Sequence, residues 1–275
     1  MKTKVSFALA LFFSTAFMLS QEVGIQLYSL RNQFKKDVPG TLELIKGWGI
    51  EKIEGGENTY GLPEKEFIKL LDENGLDVVS VGTGLEELRD NPQKTIDRAK
   101  GFGATYAMCP WIPHKGDDFT FDDTKSATDI FNKAGKMLKE AGIQLVYHPH
   151  GYEFRPYENG TLFDYMAQNA ENFAFEMDVY WVAHGGEDPI RLFEAYPEKF
   201  PLMHLKDMKM GVEGNYTGHD DVENNVVLGT GQLDMKAIIE EAKKQGVKYM
   251  FIEDESSRVV QQIPKSLLFI NANMD

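Results

Sequence analysis

Residues that can bind a metal ion or move a proton crowd one short stretch of the sequence, QLVYHPHGYEF at 144–154. An apolar segment runs directly into His148 and His150, and Glu153 follows three residues later. Imidazole and carboxylate groups bind divalent cations and act as general acids and bases. A lone histidine, however, is often only a hydrogen-bonded core residue. The meaning of this stretch therefore depends on which other elements bring similar groups to the same place.

Eight apolar segments are predicted to be strands, at 23–29, 52–55, 77–82, 105–110, 144–149, 173–178, 201–206 and 249–254. Between them lie stretches with apolar residues three and four positions apart, several of which end in glycine as helices commonly do. Eight strand–helix units with nearly continuous apolar strands predict an α/β fold, a closed (β/α)8 TIM barrel. A doubly wound open sheet is the alternative, but no glycine-rich dinucleotide turn follows the first strand.

A barrel of this type places its active site at the carboxyl ends of its strands. The strand ends carry Glu54, His148, His150, Glu153, Asp178, His204, Lys206 and Glu253. Such a set on four consecutive strands would be costly to bury without a cation. It suits one divalent ion, such as Mn, Mg, Co or Zn. That ion would polarise a carbonyl and stabilise an enolate or enediolate, while a neighbouring Glu or His moves the proton.

The first twenty residues predict a secretory signal peptide. Basic MKTK precedes the apolar run VSFALALFFSTAFML, and polar SQE follows. The run is short for a membrane span and lacks a basic stop-transfer flank. A buried first helix is the alternative. We expect a single barrel domain over 21–275, secreted to a periplasm, with the mature chain starting near Gln21.

The net charge, the cysteine count and the irregular segments exclude some kinds of partner and site. The formal net charge of -14 disfavours nucleic acid and weighs against strongly anionic substrates. Cys109 is the only cysteine, so an internal disulfide is excluded. The irregular stretch 208–231 is long enough to indicate a functional loop. Within it, GTGQL at 229–233 resembles a phosphate loop but lacks the following Lys-Ser/Thr, and we interpret it as the lead into a helix.

Several motifs in order resemble the xylose-isomerase-like TIM barrels known as sugar phosphate isomerases/epimerases, which include AP endonuclease family 2-like proteins. These motifs are GIQLYSLR (24–31), YHPHGYEF (147–154), FEMDVYWVAHGGEDP (175–189), FPLMHLKD (200–207) and LGTGQLDMKAIIEEAKKQGVKYMFIEDE (228–255). The resemblance covers nearly the whole mature chain and is specific for the superfamily. It is much less specific for the reaction, because the superfamily includes epimerases, isomerases, dehydratases, AP endonucleases and lyases acting on 3-keto-glycosides.

The resemblance implies a metal held by a Glu, an Asp, a His and a Glu on the fifth to eighth strands. The last three carry over to Asp178, His204 and Glu253. For the fifth strand, His148 stands where epimerases have Glu, and Glu153 lies one loop further on. Both are candidates. Glu153 is preferred, because three acidic ligands and one histidine recreate the usual set.

The remaining candidates have catalytic or binding roles. His148 and His150 would carry a proton and hydrogen-bond the substrate, and Glu153 is a further candidate base. Lys206 would steady a developing oxyanion, or would instead pair with an acidic neighbour. The substrate-binding candidates are Glu54, Tyr28 and Trp181, with Trp181 either a platform for a sugar ring or simple rim packing.

Three departures from the family pattern bear on the reaction. Pro149 separates the two histidines, where related subfamilies often have Asn. Gly82 and Thr83 stand at the end of the third strand, where many relatives have His. Trp181 replaces the second metal-binding histidine of AP endonucleases, which argues against a multi-metal phosphodiesterase site.

The leading functional prediction is an exported, metal-dependent sugar isomerase/epimerase that transfers a proton next to a carbonyl. An unphosphorylated sugar or glycoside is the expected partner, because export removes the protein from cytoplasmic sugar phosphates. The enzymatic alternative is a 3-keto-glycoside lyase or hydrolase that uses the same site for β-elimination. A non-catalytic sugar-binding barrel is the alternative from another class. Pairing into a homo-oligomer stays open.

Overall fold

Eight parallel strands close into one barrel in the computed structural model, which describes residues 21–274. The strands are β1 Glu22–Gln26, β2 Lys52–Glu54, β3 Asp77–Gly82, β4 Tyr106–Cys109, β5 Gln144–Tyr147, β6 Ala174–Asp178, β7 Leu202–Leu205 and β8 Tyr249–Ile252. Each pairs with its neighbours in chain order, and β8 pairs with β1. The predicted TIM barrel is confirmed. The predicted signal peptide lies outside the described residues.

Eleven α-helices surround the barrel within residues 21–274. They are α1 Arg31–Phe34, α2 Val38–Gly47, α3 Glu64–Asn74, α4 Leu85–Asp90, α5 Pro92–Phe102, α6 Phe121–Glu140, α7 Leu162–Asn169, α8 Val179–His184, α9 Pro189–Ala195, α10 Met235–Lys244 and α11 Val259–Asn273. Thr120 and Thr161 start α6 and α7 with capping boxes, and left-handed Gly75 and Gly103 end α3 and α5. In this part of the chain, no helix has the length and apolar character needed to cross a membrane.

The first strand is shorter than its apolar pattern predicts. The extended segment ends at Gln26, and Leu27–Leu30 forms a 3-10 helix. The side chain of Gln26 accepts a hydrogen bond from the backbone N–H of Tyr28 at 3.0 Å, which turns the chain out of the sheet. A local side-chain bond therefore ends the strand where the apolar pattern alone would continue it.

The interior of the barrel changes from apolar to polar along the strands. An apolar plug fills its amino-terminal part, formed by Val79, Tyr106, Met108, Val146, Ala174, Leu202 and Phe251. Because side chains alternate along a strand, residues two and four positions further on also face the interior. On β6, Ala174 is therefore followed by Glu176 and Asp178. The register pairs Asp178 with His204 on β7, so the two lie side by side above the plug.

The segment after β7 is anchored at its base and does not form a phosphate loop. Asp207–Met208 pairs with Asn225–Val226 as a two-stranded antiparallel sheet. The carboxylate of Asp207 accepts backbone N–H bonds from Gly229 and Gly231, both at 2.9 Å, and from Met208 at 2.8 Å. The N–H groups of the GTGQL motif therefore bind the chain's own carboxylate.

Close packing inside the barrel predicts a stability cost for one glycine substitution. A Cβ at Gly24 would lie 2.5 Å from the carbonyl oxygen of Lys52 and 2.7 Å from the ring of Phe251. We expect Gly24→Ala to lower the free energy of unfolding by about 1–3 kcal/mol, because neither neighbour can move freely. Gly47→Ala is the control, because nothing lies within 4 Å of its added Cβ. Urea denaturation measures both, and an unchanged midpoint for Gly24→Ala would show that the barrel relaxes around it.

Candidate active site

Four buried side chains at the carboxyl ends of β5 to β8 bring their donor atoms together. In His148, Asp178, His204 and Glu253, these atoms all lie within 4.8 Å of one another. His148 Nε2 is 3.1 Å from Asp178 Oδ2, and His204 Nδ1 is 3.3 Å from Glu253 Oε2. A divalent ion with bonds of about 2.0–2.2 Å holds adjacent donor atoms roughly 3.0–3.5 Å apart. The group therefore has the spacing of a coordination sphere.

Two features show that the group fits a cation. The buried Nδ1 atom of His204 has no hydrogen-bond partner among the described residues and faces oxygens of Asp178 and Glu253, so all three atoms could bind one cation. Asp178 uses its two oxygens separately. Oδ1 accepts the backbone N–H of Trp181 at 3.0 Å and caps α8, whereas Oδ2 faces the two histidines. The same aspartate is thus both a helix cap and a member of the cluster.

Glu153, which the sequence favoured as the fourth ligand, lies outside this group. β5 ends at Tyr147, and a 3-10 turn at Tyr152–Phe154 carries Glu153 beneath the loop, where it is fully buried. Its carboxyl group accepts hydrogen bonds from the Tyr147 hydroxyl and from the backbone N–H of His150. Burial raises its pKa to about 8. The structure therefore brings His148, and not Glu153, to the cluster.

His150 lies directly beside the cluster and lines the cavity above it. Its ring centroid is 4.7 Å from that of His148 and 5.1 Å from that of Trp181. Burial, followed by the neighbouring His148, lowers the pKa of His150 well below its usual value. The Glu153 carboxyl group holds the His150 backbone at 2.8 Å. Glu153 therefore supports the loop on which His150 stands.

Lys206 is the cationic side chain of the site. It is buried and donates hydrogen bonds to Glu253 at 3.0 Å and to Glu255 at 2.8 Å. Its Nζ atom also lies 5.6 Å from the ring of Tyr180 and 5.5 Å from that of Trp181. Burial works against its charge, but Glu253 and Glu255 outweigh that effect and raise the pKa of Lys206 well above its usual value.

A second acidic layer lies beneath the cluster. Glu54 is fully buried and accepts hydrogen bonds from His204 Nε2 at 2.7 Å and from Gln26 Nε2 at 2.8 Å. Glu176, also fully buried, has Oε2 3.3 Å from the same His204 nitrogen. Glu54 was expected to bind substrate, but it is not among the residues that line the cavity. Glu176 was not predicted, although its place two residues before Asp178 puts it on the same side of β6.

A cavity of about 500 Å³ opens above the cluster. Of the predicted substrate-binding residues, Trp181 lines it and is nearly buried, and Tyr28 lines its mouth with 51% of its surface exposed. Further lining residues that the sequence did not identify include Trp111, His219, Asp220 and Val222. They lie on loops, where no periodic pattern indicates which side chains turn inward.

The long loop after β7 forms one wall of this cavity through residues 218–222. The hydroxyl of Tyr180 donates a hydrogen bond to Asp220. The ring of His219 lies 5.5 Å from that of Trp111. At its far end, Glu223 pairs with Arg258 in the loop after β8. The loop is therefore attached to both sides of the mouth.

The chain belongs to the xylose isomerase-like TIM barrel family, whose model matches residues 42–272. Inosose dehydratase from Geobacillus kaustophilus is 23% identical over 206 residues, which cover 70% of this chain and 60% of that protein. Inosose dehydratase from Clostridium beijerinckii is 26% identical over 98 residues, or 34% of this chain and 32% of that protein. The chain thus matches less than two thirds of the length of these curated relatives.

Among solved structures, a sugar phosphate isomerase/epimerase from Parabacteroides distasonis superposes with a TM-score of 0.76. It is 25% identical, and the match covers 96% of both chains. The predicted family is therefore confirmed. By their names, these relatives and this neighbour are enzymes, which supports the prediction that the present chain is an enzyme.

The buried Glu153 predicts a specific dependence of stability on pH. Because its pKa in the folded state is raised from 4.5 to about 8, the folded state binds this proton more tightly than the unfolded state does. Stability that is present below pH 4.5 should therefore fall as the pH rises towards 8, by up to about 1.4 kcal/mol per pH unit. Glu153→Gln cannot ionise and should lack this loss.

Urea denaturation at several pH values compares the wild type with Glu153→Gln. Glu66→Gln, at an exposed position of α3, is the matched control and should keep the wild-type pH dependence. Equal slopes for the wild type and Glu153→Gln between pH 5 and 8 would contradict a raised pKa at this position.

Proposed function

We propose that the protein is a metal-dependent lyase that removes a proton beside the carbonyl of an unphosphorylated sugar or cyclitol and then expels a β-substituent. The observation that carries this proposal is geometric. His150 and Lys206 both line the cavity above the four-residue cluster, and both lie against the ring of Trp181. A proton acceptor and a cation would thus face the same sugar ring if it bound against Trp181.

The cation would be held by His148, Asp178, His204 and Glu253. When bound, it would supply Lewis-acid polarisation of the substrate carbonyl. Two imidazoles and two carboxylates suit Mn, Co or Zn better than Mg, which prefers an octahedral shell of oxygen ligands. This set differs from the three acids and one histidine that the family resemblance implied.

The chain's own residues account for the remaining steps. His150 takes the proton from the carbon beside the carbonyl, and Glu153 keeps the His150 backbone in place. The ammonium group of Lys206 stabilises the negative charge that develops on oxygen as the substituent leaves. Trp181 offers an apolar face to the sugar ring. Trp111, Tyr180 and Trp181 line the cavity and would limit the access of water to the reacting carbon.

The charges around the cavity support an unphosphorylated substrate. Lys206 is the one lysine or arginine among the described residues that line the cavity, and two carboxylates already pair with it. Further acidic side chains on the lining are Glu57, Asp220 and Asp221. TIM barrels often bind phosphate at the loops after the seventh and eighth strands. Here the carboxylate of Asp207 accepts hydrogen bonds from two backbone N–H groups of the loop after β7, so these groups are not free to bind phosphate.

Elimination is preferred over isomerisation for two reasons. The curated relatives are named dehydratases, which remove water from their substrate. Elimination also needs a single base, which His150 provides, whereas epimerisation at one carbon needs groups on both faces of it. The isomerase/epimerase predicted from the sequence is the second candidate, and the 25% identical Parabacteroides distasonis structure supports it.

The reaction is tested with metal-loaded protein and a panel of keto sugars, keto-cyclitols and 3-keto-glycosides in deuterated water. We expect a product that has lost its β-substituent and absorbs in the ultraviolet as an enone. Absorbance and mass spectrometry measure its formation. His150→Gln should slow its formation by about 10²–10⁴-fold. Lys206→Met should also slow it, and Lys125→Met, at an exposed position of α6, should not.

Other products would support a different function. Deuterium incorporation without loss of the substituent would support an isomerase or epimerase and overturn elimination. Binding of sugar with neither product would support a non-catalytic sugar-binding barrel. Equal rates for sugars and their phosphate esters would contradict the proposed preference for unphosphorylated substrates.

The fourth ligand is tested by metal binding. Treatment with a chelator should abolish activity, and Mn, Co or Zn should restore it more effectively than Mg. His148→Ala should weaken binding strongly, because it removes one of the donor atoms. Glu153→Gln should keep the affinity within a few-fold, because Glu153 lies outside the cluster. Isothermal titration calorimetry with Mn²⁺ measures both, and the reverse pattern would restore Glu153 as the ligand.

Export to a periplasm rests on residues 1–20 alone, which precede the described residues. Amino-terminal sequencing of the protein after expression in a Gram-negative host should find a mature chain starting near Gln21. An unprocessed chain in the cytoplasmic fraction would contradict export.

A further inference from the structure

Glu54 is the last residue of β2, where it pairs in regular register with Gln26 of β1. The pairing of β2 with β3 shifts register between Ile53 and Glu54. Gly55 and Gly56 follow with φ of 149° and 102°, values that side chains other than glycine rarely adopt. The chain thus departs from regular β-structure at the residue that reaches beneath the cluster.

The carboxylate of Glu54 contacts one nitrogen of His204 and the side-chain amide of Gln26. Its Oε2 atom is 2.7 Å from His204 Nε2 and 2.8 Å from Gln26 Nε2, and the carboxylate is fully buried. Gln26 is itself oriented, since its Oε1 atom accepts the backbone N–H of Tyr28. A hydrogen bond between buried partners, one of them charged, is short and strong.

We infer that Glu54 is a positioning residue of the metal centre, which holds the Nε2–H of His204 and thereby turns Nδ1 towards the cation. This inference rests on the proposed metal site. An imidazole that donates from one nitrogen presents the lone pair of the other, so the partner of Nε2 fixes both the tautomer and the ring plane. In the structure, Nδ1 faces Asp178 at 3.6 Å and Glu253 at 3.3 Å.

Glu176 lies close enough to Glu54 and His204 to raise a second interpretation, in which Glu54 is itself a metal ligand. It lies 3.3 Å from the same nitrogen, and Glu54, Glu176 and His204 have donor atoms within 4.8 Å of one another. These three residues could in principle hold a second ion. Nε2 would then have to be a metal ligand and could not donate a hydrogen bond. The stoichiometry of metal binding separates the two arrangements.

Calorimetric titration with Zn²⁺ tests the inference on the full chain. Glu54→Gln should bind zinc about 10-fold more weakly than the wild type, and Glu54→Leu up to about 100-fold more weakly, with unchanged circular dichroism. Glu51→Gln, exposed just before the same strand, is the matched control and should bind as the wild type does. If neither Glu54 variant folds, Gln26→Leu keeps the carboxylate but loses its anchor and should give a smaller loss of affinity.

Proton NMR of the zinc-loaded protein supplies a readout that a general loss of packing would not move. The wild type should show a downfield Nε2–H signal from His204, assigned by its absence in His204→Gln. Glu54→Gln should move that signal upfield.

Each outcome separates the inference from the proposed function. No zinc binding by the wild type would overturn the proposed metal site. One equivalent of zinc, with equal affinity and an unmoved signal in Glu54→Gln, would overturn the role of Glu54 alone. Two equivalents in the wild type would make Glu54 a ligand and not a positioning residue.

Discussion

The side chain of His204 contacts four carboxylates, and the interior of the barrel depends on this interaction. Nε2 lies 2.7 Å from Glu54 and 3.3 Å from Glu176, while Nδ1 lies 3.3 Å from Glu253 and 3.6 Å from Asp178. Burying four acids in one barrel costs several kcal/mol for each ion that is left unpaired. His204 lies between two layers of carboxyl groups, and a cation beside its Nδ1 atom would balance the charge of Asp178 and Glu253.

Along each strand, the residues of the apolar plug and the residues of the candidate site occupy different positions. Leu202 and Phe251 belong to the apolar plug, and two residues later His204 lies on β7 and Glu253 directly follows β8. The plug supplies dry, close-packed support that holds the polar layers in place. The charged upper part therefore does not have to stabilise the fold by itself.

The loops determine what reaches the strand ends. Trp111 and His219 come from different sides of the mouth and meet there, and Tyr180 binds Asp220 on the loop after β7. The four-residue cluster thus lies at the strand ends, whereas much of the cavity wall comes from loops, which can vary without disturbing the barrel. This division explains how one family can contain enzymes with different reactions.

The amino-acid sequence by itself determined the barrel and the strand ends that carry candidate ligands, and the family resemblance singled out Asp178, His204 and Glu253 among them. Eight alternating units imply parallel strands, and the ends of neighbouring parallel strands must meet at one mouth. The alternation of side chains also made Glu176 accessible to prediction, because it lies two residues before Asp178 on the same strand. The placement of strands and strand ends depends on the periodicity of apolar residues, which can be recognised in a short stretch of sequence.

Only the tertiary structure showed that His148, and not Glu153, lies in the cluster, and only it placed Glu54 beneath His204. The first choice depends on where β5 ends and on a short turn that packs Glu153 against Tyr147. The second depends on the closure of the barrel, which brings Glu54 of β2 within 2.7 Å of His204 Nε2 on β7 and within 2.8 Å of Gln26 Nε2 on β1. Both are set by contacts between segments that are distant in the chain, or by turns whose packing has no periodic signature. They cannot be predicted from a short stretch of sequence, because the contacts that stabilise them form only when the barrel closes.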